Sequence, residues 1–240
     1  MKSDLRALGI AHGLLLGLVL ASPLVGPSLI RWGIEALFVI TAFQLRLADR
    51  RWDLRNGWRG WVSHVRMAPG RLLPWAGIAA VALMAEPGRA QLALSVLAGV
   101  GMSELVVYPI AAHVLSRMPR AGLAIAMLLL LLGCGFAEPG LAARFVTAFA
   151  LGLAGGVFWL RGPDGEARSA LIATSGCTAA LAAAILAPAS LPFAFPAGVL
   201  CAALALAQLS VVRRRPLPWQ IGSGAGRIRP EQPALPSPPA

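Results

Sequence analysis

Glu104 and Tyr108 stand four residues apart in "GMSELVVYPIAAH", residues 101–113, within an apolar run long enough to cross a bilayer. On a helix that spacing puts both on one face, together with Gly101 and with Ala111 and Ala112 beyond. An acid at the centre of a membrane helix costs about 3 kcal/mol on insertion scales, so such residues turn to an interior, a cavity or a partner. Two chemistries fit: a solute or proton pathway through Glu104, or a hydrogen-bonded Glu104 that holds helices together through His12. No basic residue lies within a turn of Glu104 along the chain. Pro109 lacks the amide that would reach the carbonyl of Leu105, which frees an acceptor beside the acid. His113 is nine residues on, about 180° round a straight helix, and points elsewhere.

Three further groups of residues could carry chemistry. Glu35 lies about 12 Å beyond Pro27 at 1.5 Å per residue, with Arg31 four residues earlier on the same face. The spacing predicts an intrahelical Arg31–Glu35 ion pair, or the outer mouth of a pathway. His12 sits mid-span beside Gly9, Gly13 and Gly17, whose spacing of four predicts close helix packing. It is read either as a histidine bonded to a neighbouring carbonyl or as part of the pathway. In "RLADRRWDLRNGWRGWVSHVRMAPGR" Leu54, Trp58, Trp61, Val62 and Val65 share one helical face, while several arginines lie elsewhere. The pattern predicts an amphipathic helix lying in the membrane interface, with Arg55, Arg59, His64, Trp58 and Trp61 contacting anionic lipid headgroups, or a plain positive anchor.

The elements that must position these residues follow from composition. The chain has 240 residues, 58% hydrophobic and 13% charged, where a soluble domain has about 25% charged. The apolar blocks show no alternation of period two, so they are helices rather than barrel strands. The predicted fold is an all-α polytopic membrane protein of about eight transmembrane helices arranged as stacked hairpins, plus the interfacial helix. Its spans fall at roughly 5–22, 27–45, 71–86, 90–115, 121–137, 140–160, 169–187 and 192–212, with an interfacial segment at 46–70. Residues 1–212 form the transmembrane domain. The Pro-rich segment 213–240 is expected to be a disordered cytoplasmic tail.

With the N-terminus inside, the cytoplasmic segments collect Lys2 and Arg6, seven arginines from Arg46 to Arg71, Arg117, Arg120, Arg161, Arg168 and the tail arginines. Only Arg31, Arg89 and Arg144 of the 21 basic residues fall on the other side. That asymmetry places both termini in the cytoplasm of an inner-membrane protein. It also gives the net charge of +11 a membrane origin rather than a nucleic-acid partner. Residues 1–21 also read as a cleavable signal peptide, which leaves the remaining topology unchanged.

Several chemistries are excluded. Cys134, Cys177 and Cys201 form no C-x-x-C pair, and there is no His pair of zinc spacing, no phosphate loop and no dinucleotide fingerprint. No metal or cofactor is expected. "ATSGC" at 173–177 resembles the serine segment of rhomboid proteases, but no histidine follows His113 to activate the serine. The expected function is a multi-pass permease for a small solute or ion, with proton coupling as an option, using Glu104, Tyr108 and His12, with Arg31 and Glu35 toward the outer mouth. Two rivals stand beside it: an enzyme or carrier for lipid-linked substrates, and a non-catalytic subunit or assembly factor of a membrane complex. The expected partners are the bilayer with its anionic lipid, and a second copy or a membrane complex.

Overall fold

The structure is a computed structural model of the chain. It describes residues 6–25, 28–48, 57–85, 90–136, 140–162 and 166–212. The expected disordered tail, Arg55, and the side chains of Trp58 and Arg59 lie outside the described residues. Among the described residues there are eight helices and no strand. They are α1 (Arg6–Val25), α2 (Ser28–Ala48), α3 (Gly57–Ala85), α4 (Ala90–Leu115), α5 (Arg120–Phe136), α6 (Leu141–Leu160), α7 (Ala167–Leu186) and α8 (Leu191–Val212). A short 3₁₀ turn, Pro188–Ser190, leads into α8.

Four of these are long and apolar enough to cross a membrane: Ala90–Leu115, Leu141–Leu160, Ala167–Leu186 and Pro188–Val211. The apolar stretches Ala7–Val19 and Arg120–Phe136 are shorter. In α2 and α3 charged residues interrupt the apolar run, among them Arg31, Glu35 and Arg46 in α2 and Arg66 and Arg71 in α3.

The core is built on α2 and α6, the most extensively packed pair together with α7 and α8. Gly152 and Gly156 make the close approach possible. A side chain at Gly152 would collide with the carbonyl oxygen of Val39, and one at Gly156 would lie 3.3 Å from that of Phe43. Small residues four apart let two backbones meet where lipid gives no hydrophobic gain. The same spacing on α1 does something else. Gly9, Gly13 and Gly17 face open space, with nothing within 4 Å of an added side chain. The tight packing expected of that stripe is absent, because α1 meets α2 along its other side through Leu8 and Val19.

No break in the helix marks the boundary expected near residue 70, between an interfacial segment and a third span. One helix of 29 residues, α3, runs through Pro69 and Pro74. Both prolines sit on its exposed side. The inward stripe Trp61, His64, Ala68, Arg71, Trp75 and Ile78 passes them in steps of three and four. Because the helix is continuous, Arg71 is carried about 21 Å from its start, into the bundle instead of a loop.

Candidate functional site

Within α4 the regular helix is broken where Glu104 stands. Ser103–Val107 is a π-helical turn, and the amide of Tyr108 donates to the carbonyl of Ser103, five residues back. Pro109 leaves the next two carbonyls open. Its nitrogen carries no hydrogen, so the carbonyl of Leu105 loses its α-type donor and the carbonyl of Glu104 loses its π-type donor. Two side chains of α3 fill these places. Trp61 Nε1 donates to the carbonyl of Leu105 at 2.9 Å, and His64 Nε2 to that of Glu104 at 2.8 Å. A carbonyl only accepts, so Nε2 of His64 carries the proton.

The carboxylate of Glu104 finds its counter-ion on the same helix, α3. Arg71 Nε donates to Oε2 at 2.9 Å, while His64 Nε2 stands 3.6 Å from that oxygen. Arg71 Nη2 is 3.2 Å from the carbonyl of His64 and from both nitrogens of its ring. Tyr108 stacks on the imidazole: its ring lies 4.7 Å from that of His64, nearly parallel at 16°. Glu104 and Tyr108 thus share one cluster, as their spacing predicts, and His64 joins them. Of the residues expected at lipid headgroups, His64 is buried and bonded to α4, while Trp61 is half-buried and donates to α4 as well.

The Arg71–Glu104 pair lines a cavity of about 390 Å³. Its wall includes His12 from α1, Thr41 and Gln44 from α2, Arg71 and Trp75 from α3, and Glu104 from α4. His12 and Glu104 therefore converge on one space, while Tyr108 is buried and does not line it. Two atoms in that wall make no hydrogen bond among the described residues, His12 Nδ1 and Thr41 Oγ1. Gln44 Nε2 donates to the carbonyl of Leu8 at 2.9 Å, and the Gln44 side chain also lies within hydrogen-bonding reach of the His12 ring. Buried polar atoms of this kind are partnered by water or ligand in most proteins. The side chain of Arg71 is 28% exposed and that of Glu104 3%, so the cation reaches the cavity while the acid stays in its wall.

A second charged pair lies toward the other end of α2. Glu35, fully buried on α2, accepts from Arg144 Nε at 2.8 Å. Arg144 Nη2 also donates to the carbonyl of Pro192 at 3.3 Å, and its guanidinium lies 4.8 Å from the centre of the Trp32 ring. The expected partner, Arg31, is exposed and lies 5.7 Å from the Trp32 ring instead. Arg144 takes its place because α6 packs along α2 closely enough to bring a buried guanidinium to the acid, which a surface arginine on the same helix does not do. Arg144 and Pro192 stand in the first turns of α6 and α8. The cavity, by contrast, runs from Leu37 to Ala48 on α2, the half nearer that helix's C-terminal end.

Among the described residues no three His, Cys, Asp or Glu side chains gather as a metal site. Comparisons with protein-family models, curated proteins and solved structures give no match to this chain.

Proposed function

We propose that the protein is a small inner-membrane permease, with about eight spans and both termini cytoplasmic, that moves a small acidic solute together with a proton. The observation that carries this reading is the Arg71–Glu104 pair on the wall of a cavity that also holds His12 and Thr41. A bare buried arginine would bind an anion and keep it. Here Glu104 competes for the same guanidinium. Protonation of Glu104 weakens that competition and turns Arg71 toward the anion, and loss of the proton restores the pair and expels the solute. Solute and proton then bind and leave together, because the solute anion and the Glu104 carboxylate alternate on Arg71. The π-turn and Pro109 supply the broken helix that transporter sites use. Glu35, Arg144 and Trp32 form the closed outer gate, and the cavity is the inward-facing half of the pathway. The bilayer is the partner, with a second copy of the chain as a further one.

The reading as an enzyme or carrier for lipid-linked substrates has less support, since His64 and Trp61 bond to α4. The reading as a non-catalytic subunit uses the same cluster as glue, and flux separates it from transport. The test uses purified protein in vesicles, a panel of small carboxylates, and their neutral amides. Carboxylate uptake driven by a proton gradient is expected, with no uptake of the amides. Glu104→Gln should abolish the dependence on the gradient at an unchanged protein level. Uptake by Glu104→Gln that still follows the gradient would remove Glu104 from the mechanism, and no carboxylate uptake by the native chain would remove the function.

A further inference from the structure

A second cavity, of about 290 Å³, opens at the end of the bundle where α6 and α8 finish and α5 and α7 begin. Its floor is largely apolar, with Trp159 of α6, Ala173 of α7 and Cys201 and Leu204 of α8, beside the buried amide of Gln208. Its rim is basic. Arg120, at the first position of α5, lies over the ring of Phe158 at 5.2 Å, and both line the opening. Arg161 donates to the carbonyls of Ser116 and Met118 and so stays anchored beside Arg120, and Arg168 stands exposed on the first turn of α7. The opposing acid at this rim, among the described residues, is Glu166, which accepts the Ser169 hydroxyl at 2.9 Å. Among the described residues three guanidinium groups stand near this opening against that one carboxylate, and Arg120 is the one that lines it.

The cavity also opens sideways. Ile172 lines it and is 62% exposed, next to Leu171 on the outer face of α7, a helix that packs chiefly against α8. An occupant can therefore keep a charged end at the arginines and pass an apolar chain out along α7. Free phosphate would satisfy the rim and leave the floor empty. A neutral lipid would fill the floor and gain nothing from the rim. We infer that this cavity is a binding site for one anionic phospholipid, its phosphate at Arg120 and its acyl chain over Ala173 and Leu204. Basic pockets between membrane helices on the cytoplasmic side take such headgroups. The site is separate from the cavity at Glu104 and does not depend on transport.

The test is fluorescence quenching of the purified chain in neutral detergent by phospholipids with brominated acyl chains. Brominated phosphatidylglycerol is expected to quench a saturable fraction of the tryptophan signal at mole fractions where brominated phosphatidylcholine does not. Trp159→Phe should remove that saturable fraction. Arg120→Gln, a change at an exposed position, should weaken the apparent affinity about fivefold, the effect of one juxtamembrane charge. Ala173→Leu, which narrows the floor, should weaken it without changing the charge. Equal quenching by the two lipids, or an Arg120→Gln chain that binds as the native one does, would overturn the assignment. So would full displacement of the lipid by millimolar inorganic phosphate, which would make this a free-anion site.

Discussion

Replacing Arg144 by methionine is expected to destabilise the fold by about 3–5 kcal/mol, the cost of leaving one member of a buried ion pair alone. Glu35 is fully buried, and its Oε2 takes the guanidinium of Arg144. Its Oε1 makes no hydrogen bond among the described residues, so Arg144 is the one hydrogen-bonded counter-ion, with Arg31 acting on the acid only from farther off. Without Arg144 the acid has no water to turn to, because Glu35 has no exposed surface and Phe38 of α2 stacks on Phe145 of α6, the residue after Arg144. The double variant Glu35→Met, Arg144→Met removes both charges and fills similar volume. It should recover most of the loss, since apolar replacements of a buried pair are often neutral or stabilising. Unfolding in a denaturing-detergent titration reads both. If the double variant is as unstable as Arg144→Met alone, the pairing does not account for the effect.

Arg71→Met is expected to be the second severe change, and more severe for stability than Glu104→Gln by about 2 kcal/mol. Both substitutions break the same 2.9 Å bond. They leave different groups behind. Arg71→Met strands a carboxylate that is 3% exposed, whereas Glu104→Gln strands a guanidinium that is 28% exposed and reaches the cavity, where water can receive it. The amide of Gln also keeps an oxygen to accept from Arg71. Transport should fall in both variants, since each removes one side of the competition on which coupling rests. Equal stability of the two variants would mean that Glu104 is not sealed in the wall.

The residue that completes the site is hidden in the sequence by the prolines around it. "APGRLLPWAG" reads as a loop followed by the start of a span, and that reading puts Arg71 outside the membrane. The stripe from Trp61 to Ile78 gives the contrary signal. Its steps of three and four run through both prolines without a break, which a loop would not preserve. Arg46 reads as part of the inner loop in the same way, yet it is buried beside Gly156. The helical geometry of α4 is easier to see. The shared face of Glu104 and Tyr108 follows from spacing alone, and the acceptor freed by Pro109 is the one that Trp61 takes. Spacing cannot find Glu35's partner. Local rules select Arg31, one turn away, but a buried acid is answered by whichever helix packs on it, and Arg144 is 109 residues on. Small-residue stripes also look alike on α1 and α6. The stripe on α6 lies in a helix contact and that on α1 faces open space, and only tertiary packing separates them.

Transport through the cavity at Arg71 and Glu104 requires that it be a water-filled path. Leu16 and Leu14 test it, two residues apart on α1 and at similar depth. Leu16 lines the cavity, whereas Leu14 is 70% exposed on the apolar outer surface. In a chain with Cys134, Cys177 and Cys201 replaced by alanine, each leucine is changed in turn to cysteine and treated in vesicles with a membrane-impermeant thiol reagent. A thiol reacts as the thiolate, which forms in water and not in lipid. Leu16→Cys is expected to be labelled and Leu14→Cys is not. Equal labelling of the two, or none at Leu16→Cys, would contradict it.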